Sequence, residues 1–83
     1  MKLKEKLLST GYFIENEYFQ KYLELVTSNK CSVKEQFRTN NHHIIPVHYF
    51  INTKQKVDNS KANIVTLYFK DHLLAHLYLS GCT

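Results

Sequence analysis

The sequence predicts a small α+β domain in which two N-terminal helices precede a core of two antiparallel strands and one histidine-bearing helix. Three observations carry that reading. Two stretches near the start place apolar side chains at helical spacing; two short runs rich in β-branched and aromatic residues, 42–51 and 63–68, are separated by a polar loop; and the C-terminal stretch returns to a helical pattern with two histidines four residues apart. With 83 residues the chain makes one compact unit, organised as an N-terminal helical region and basic arm (1–36) and a core (37–83). A domain of this size buries only about 60–65% of the surface its unfolded chain exposes, so it is marginal without a staple, and a metal ion is one such staple.

In the first stretch, KLKEKLLS (2–9), Leu3, Leu7 and Leu8 fall on one side and Lys2, Lys4 and Lys6 face water, with Gly11 placed to end the helix. A solvated lysine face outweighs phosphate contacts there. Residues 16–28 set Tyr18, Phe19, Tyr22, Leu23 and Val26 at helical spacing, behind Asn16 as cap and Glu17 at the positive end of the helix dipole. An aromatic stripe at that spacing reads as core packing rather than as a surface for stacking bases.

From Asn29 to Asn41 the pattern gives way to a polar connector with Lys30, Lys34 and Arg38, and one helical turn at VKEQF. It reads as an arm. HHIIPVHYFI is apolar and partly β-branched, so a strand is expected there, ended by Pro46, which has no N–H for a ladder. Residues 51–62 form a loop with an Asp58-Asn59-Ser60 turn and three lysines, Lys54, Lys56 and Lys61. Asn63–Tyr68 is the second strand, and Phe69–Ser80 a helix closed by Gly81.

Composition narrows the function classes. The net charge of +4 fits a polyanionic partner, a weak indication of nucleic acid. Cys31 and Cys82 form no CxxC pair, and no apolar leader follows Met1, which argues for a reducing cytoplasm rather than a disulfide-built secreted fold. No segment approaches the roughly 20 apolar residues of a membrane span, so no membrane role is expected.

His72 and His76 stand four apart on one helical face, able to meet a single ion. A third ligand is at hand in the adjacent pair His42 and His43. On extended backbone neighbouring side chains point to opposite sides, so one imidazole faces the helix while the other stays free as a base; the spacing does not say which. His48 reads as an ordinary core or surface histidine. A zinc protease would need HExxH, and the helix has Leu73 where the glutamate belongs.

Residues 40–79 resemble the HNH, or His-Me finger (ββα-metal), endonuclease family. HHIIP is similar to that family's first strand, Asn63 to the asparagine opening its second, and the interval from Asn63 to His72 to His76 equals that of the nuclease toxins in the superfamily. The resemblance implies His42, His72 and His76 as ligands of one divalent ion, His43 as general base, and Asn63 as the residue that orients the base and its loop. It implies hydrolysis of DNA phosphodiesters to 5′-phosphate and 3′-hydroxyl ends. Imidazole ligands suit Zn²⁺ or Ni²⁺ in affinity, with Mg²⁺ or Mn²⁺ as ions for turnover.

There are departures. Val47 stands where many relatives have arginine, leaving that role vacant or to Arg38; Tyr68 replaces the usual Ser or Thr helix cap, leaving Asp71 to serve the first-turn amides; and the CxxC pairs of zinc-stapled relatives are lacking. The chain stops close to the end of the ligand helix, as a minimal member or a fragment would. Nucleic-acid contacts are expected from Arg38, Lys54, Lys56 and Lys61. The expected partner is DNA, with a second copy or a larger assembly supplying sequence recognition, in a bacterial or phage-encoded cytoplasmic protein. The alternatives are an RNase or toxin-type nuclease, and a non-catalytic nucleic-acid-binding or protein-interaction module that keeps a structural metal.

Overall fold

The computed structural model describes residues 2–27 and 38–83. Among them, four helices and a two-stranded antiparallel sheet make a small α+β fold. In chain order these are α1 (Leu3–Ser9), α2 (Glu17–Thr27), β1 (Thr39–His43), α3 (Val47–Asn52), a 3₁₀ turn (Lys61–Asn63), β2 (Ile64–Tyr68) and α4 (Phe69–Cys82). The helical turn expected at VKEQF, with Lys30, Cys31 and Lys34, lies outside the described residues.

The N-terminal helices form as their patterns dictate. Leu7 of α1 is fully buried with Leu3 and Leu8 packed beside it, and Gly11, just past the Thr10 cap, takes the left-handed conformation (φ +74°) that glycine adopts without a Cβ penalty. At the start of α2, Asn16 Oδ1 accepts the Phe19 N–H at 2.9 Å, the capping bond that satisfies one of the exposed first-turn amides. Phe19, Tyr22, Leu23 and Val26 are buried, and α2 packs along α4. The same Asn16 donates through Nδ2 to the Gly81 carbonyl at 2.9 Å, and Ile14 N–H bonds the Cys82 carbonyl at 2.7 Å. The entry to α2 is thereby tied to the end of α4.

Three expectations are corrected. The first strand does not run to Pro46: β1 begins in the polar Thr39-Asn40 stretch, ends at His43, and Ile44 and Ile45 leave the ladder to enter the core. VHYFIN is a helix, α3, with Pro46 at its N-cap position (φ −63°, ψ 149°). Proline's fixed φ and missing N–H suit a helix start, and that outweighs the β preference of Val47, Tyr49 and Ile51. Third, Gly81 does not stop the last helix, which continues to Cys82. A Cβ on Gly81 would lie 2.7 Å from Cδ2 and 2.9 Å from Cβ of Tyr18, so this glycine exists for the close approach of α2 to α4.

The strands pair with His42 opposite Val65 and His43 opposite Ile64, and α4 packs against both. One buried cluster takes Leu7, Phe19 and Tyr22 from the N-terminal helices and Ile44, Leu67 and Leu79 from the later elements, so the described residues on both sides share a single core. No helix among the described residues is long and apolar enough to cross a membrane.

Candidate metal centre

Strand alternation separates the adjacent histidines. His42 points inward toward α4 and is 2% exposed, while His43 turns to the opposite side and is half-buried. One turn of α4 presents His72 and His76 to the same point. The His42 ring centre lies 5.2 Å from that of His72 and 5.3 Å from that of His76, and the two α4 rings are 4.7 Å apart. Their Nε2 atoms approach to 3.1 Å, a distance at which one nitrogen donates and the other accepts.

The ligand nitrogens of the three histidines all lie within 4.8 Å of one another. Bonds of about 2.0–2.1 Å to a tetrahedral ion would set them roughly 3.4 Å apart, a difference that small ring rotations close. The residues therefore fit a single metal ion. Their electrostatics fit it too. Burial, and then the neighbouring His72, His76 and His43, push the His42 imidazole down to about 4; burial, and then His76, lower His72. Both rings are neutral near pH 7, the form in which imidazole binds metal.

Behind His42 stands Tyr22 of α2, fully buried, its hydroxyl 2.8 Å from His42 Nε2 and 2.7 Å from the Ile44 carbonyl oxygen, to which it donates. Burial holds the phenol far above its ordinary range, so it keeps its proton at every working pH.

On the other face of β1, His43 Nε2 meets Asn59 Oδ1 at 2.7 Å. A carbonyl oxygen only accepts, so Nε2 carries the hydrogen, and of the two neutral tautomers this contact selects the one whose lone pair is on Nδ1. Asn59 sits in the turn where Asp58 Oδ1 accepts the Ser60 N–H at 2.9 Å; the Ser60 side chain, and then this backbone bond, hold the Asp58 carboxyl below its usual value.

Asn63 is 1% exposed and fully engaged: Oδ1 accepts the Ile45 N–H at 2.8 Å, while Nδ2 donates to the Asp58 carbonyl at 2.9 Å and the Ile45 carbonyl at 3.3 Å. Its backbone carbonyl takes the Ile44 N–H at 2.8 Å. Asn63 staples the loop on which Asn59 rides. The side chain that meets the His43 ring is Asn59, not Asn63.

A cavity of about 370 Å³ adjoins the centre, lined among others by His42, His43, Val47, His48 and His76. Val47 leaves that wall uncharged where the resemblance expected arginine, and His48, read from sequence as an ordinary histidine, faces the same space. Arg38 lines a different cavity, of about 660 Å³, with Tyr68, Phe69, Lys70 and Asp71. It precedes β1, and roughly 16 Å of strand at about 3.3 Å per residue separates it from His43. Lys54, Lys56 and Lys61 are exposed along the loop that carries Asn59, with Lys54 in the left-handed region (φ 57°). Tyr68, at the N-cap of α4, makes no side-chain capping bond, and Asp71 lies in the first turn.

Sequence reasoning missed Tyr22 and Asn59 as parts of the site. A buried tyrosine hydroxyl needs a partner, which was the available signal for the first; the Asp58-Asn59-Ser60 turn contained the second but revealed only its bend. In comparisons with protein-family models, with curated proteins and with solved structures, nothing matches this chain.

Proposed function

We propose that the protein is a metal-dependent endonuclease of the HNH, ββα-metal type that hydrolyses DNA phosphodiester bonds. The observation that carries this reading is the division of labour within the adjacent pair: His42 converges with His72 and His76, while His43 is turned away and held with Nδ1 free. A purely structural metal site has no use for the second imidazole. A divalent ion on His42, His72 and His76 would supply Lewis acidity toward the phosphoryl and leaving oxygens.

The chain's own residues supply the rest. His43 Nδ1 takes the proton of the attacking water, and Asn59 keeps the ring in the tautomer and direction that this needs. Asn63 holds the loop beneath it. Lys54, Lys56 and Lys61 attract the nucleic-acid backbone to that edge of the cleft. Phosphate contacts carry no sequence information, so recognition and cutting of a second strand fall to a second copy or a DNA-reading partner.

Nicking of supercoiled plasmid with added Mg²⁺, Mn²⁺, Ni²⁺ or Zn²⁺ tests the proposal, with a parallel RNA substrate. Cleavage of plasmid that is lost in His43→Ala supports it. Cleavage of RNA alone makes the protein a ribonuclease. Metal binding without cleavage of either substrate makes the site structural and overturns the enzyme reading.

A further inference from the structure

We infer that Tyr22 of α2 fixes the tautomer of His42, so that the ring keeps its hydrogen on Nε2 and binds metal through Nδ1. The inference rests on the metal centre proposed above and assigns Tyr22 as a positioning residue within it. A phenol hydroxyl has one hydrogen and two lone pairs. Two groups compete for that hydrogen: the Ile44 carbonyl at 2.7 Å, which can only accept, and His42 Nε2 at 2.8 Å, which accepts or donates according to its tautomer. If the hydroxyl donated to the imidazole, its lone pairs would face the carbonyl oxygen at 2.7 Å, two acceptors in contact inside a buried site. The arrangement in which all three atoms are satisfied sends the hydroxyl hydrogen to Ile44 and brings an Nε2–H from His42 to the hydroxyl oxygen.

Neutral imidazole carries one hydrogen, so Nδ1 is left with the lone pair. With Nε2 committed to Tyr22, Nδ1 is the nitrogen of His42 that remains for an ion shared with His72 and His76. The orientation is stiffly held. Tyr22 is fully buried, its ring stacked on Phe13 with centroids 6.1 Å apart and edge-on to His42 at 5.8 Å. A ligand's outer hydrogen bond of this sort selects ring direction and raises basicity. Helix α2 is thus part of the metal centre rather than an appendage to the strands and α4, and the Phe13–Tyr22–His42 contacts are the connection.

Long-range ¹H–¹⁵N correlation of the histidine rings in metal-free wild-type protein reads the tautomer directly. His42 is expected with hydrogen on Nε2, and Zn²⁺ is expected to move its Nδ1 resonance. An Nδ1–H form overturns the inference whether or not metal binds. Tyr22→Phe keeps the ring and its packing while removing the hydroxyl; it should mix the two tautomers and weaken Zn²⁺ binding about 10- to 100-fold by calorimetry. A folded Tyr22→Phe that binds Zn²⁺ as tightly as wild type, or retains a pure Nε2–H form, overturns the role given to the hydroxyl. Wild-type protein that takes up no Zn²⁺ and behaves like His72→Ala sinks the metal centre and the coordination through Nδ1, while the metal-free spectrum still decides the tautomer.

Discussion

His43 and Asn59 are joined across 16 positions of sequence by a 2.7 Å hydrogen bond that leaves Nδ1 of the histidine as its only basic nitrogen. Asn59→Ala should therefore slow cleavage about tenfold, the equivalent of one hydrogen bond of roughly 1.4 kcal/mol, with metal affinity unchanged. Single-turnover rates and a metal titration on the same variant check it. A full rate with the alanine would show that the ring needs no outside partner.

The adjacent histidines should separate cleanly by mutation. His43→Ala is expected to cut the rate by about 10²–10⁴, the usual contribution of a general base, and to leave metal affinity intact, whereas His76→Ala should weaken both. Calorimetric titration beside the nicking assay measures the two effects. If His43→Ala lost the metal and His42→Ala kept it, the two roles would be interchanged.

Acid should destabilise the metal-free protein through His42. Its imidazole titrates near 6.5 in the unfolded chain and at about 4 in the folded one, so between those values the unfolded state binds more protons. Stability from this group is complete above pH 6.5 and is lost as pH falls toward 4, a change of about 3 kcal/mol for a shift of this size. His72, also lowered, acts in the same direction. Denaturant unfolding in chelator at stepped pH should show the slope, and His42→Gln should flatten it; parallel curves for the two proteins would contradict the assignment.

Metal should add stability on top of this. Only the folded chain brings His42, His72 and His76 together, so free ion at about 100 times its dissociation constant contributes roughly 2.7 kcal/mol at pH 8 and progressively less as pH falls toward 4, where protons compete for the His42 ring. Thermal melting with and without chelator at both pH values measures it. Identical melting at pH 8, with binding shown independently, would mean that the fold stands without its ion.

For the exposed lysines of the loop, the readout is salt. Lys54→Gln with Lys56→Gln should lower the magnitude of the log–log salt slope of DNA binding by roughly 1 to 2 units, as the release of fewer counterions requires. An unaltered slope would place them away from the duplex.

Local chemistry made much of this molecule legible in its sequence. The Asn16 cap, the Gly11 stop, the stripe of α2 from Phe19 to Val26 and the i,i+4 histidines of α4 each depend on residues within one or two turns of one another, and each is found where the pattern puts it, while Tyr18 of the same stripe is exposed. What escaped depends on neighbours distant in sequence. Thr39–Asn41 is strand because β2 pairs with it; Gly81 lies within a helix because Tyr18 needs the room; VHYFIN is helical because Pro46 sets its start and Phe50 has a core to enter. The site divides in the same way. Alternation put one histidine of the pair toward α4, but nothing local could announce that Asn59 would reach His43 or that Tyr22 would stand behind His42.

The pairing of His42 with Val65 has a consequence for how this chain can change over time. Side chains alternate with a period of two, so gaining or losing one residue in β1 would exchange the inward and outward histidines and carry the whole strand with them. Short of a β-bulge that absorbs the extra residue, no intermediate arrangement exists in which both keep their places. Insertions between Thr53 and Gln55 lengthen an exposed bend and leave the strand parity untouched, whereas length changes in β1 preserve it only in pairs. The division between the two imidazoles is thus inherited as an odd-or-even property of five residues, and a lineage can lose it in one step but cannot drift out of it gradually.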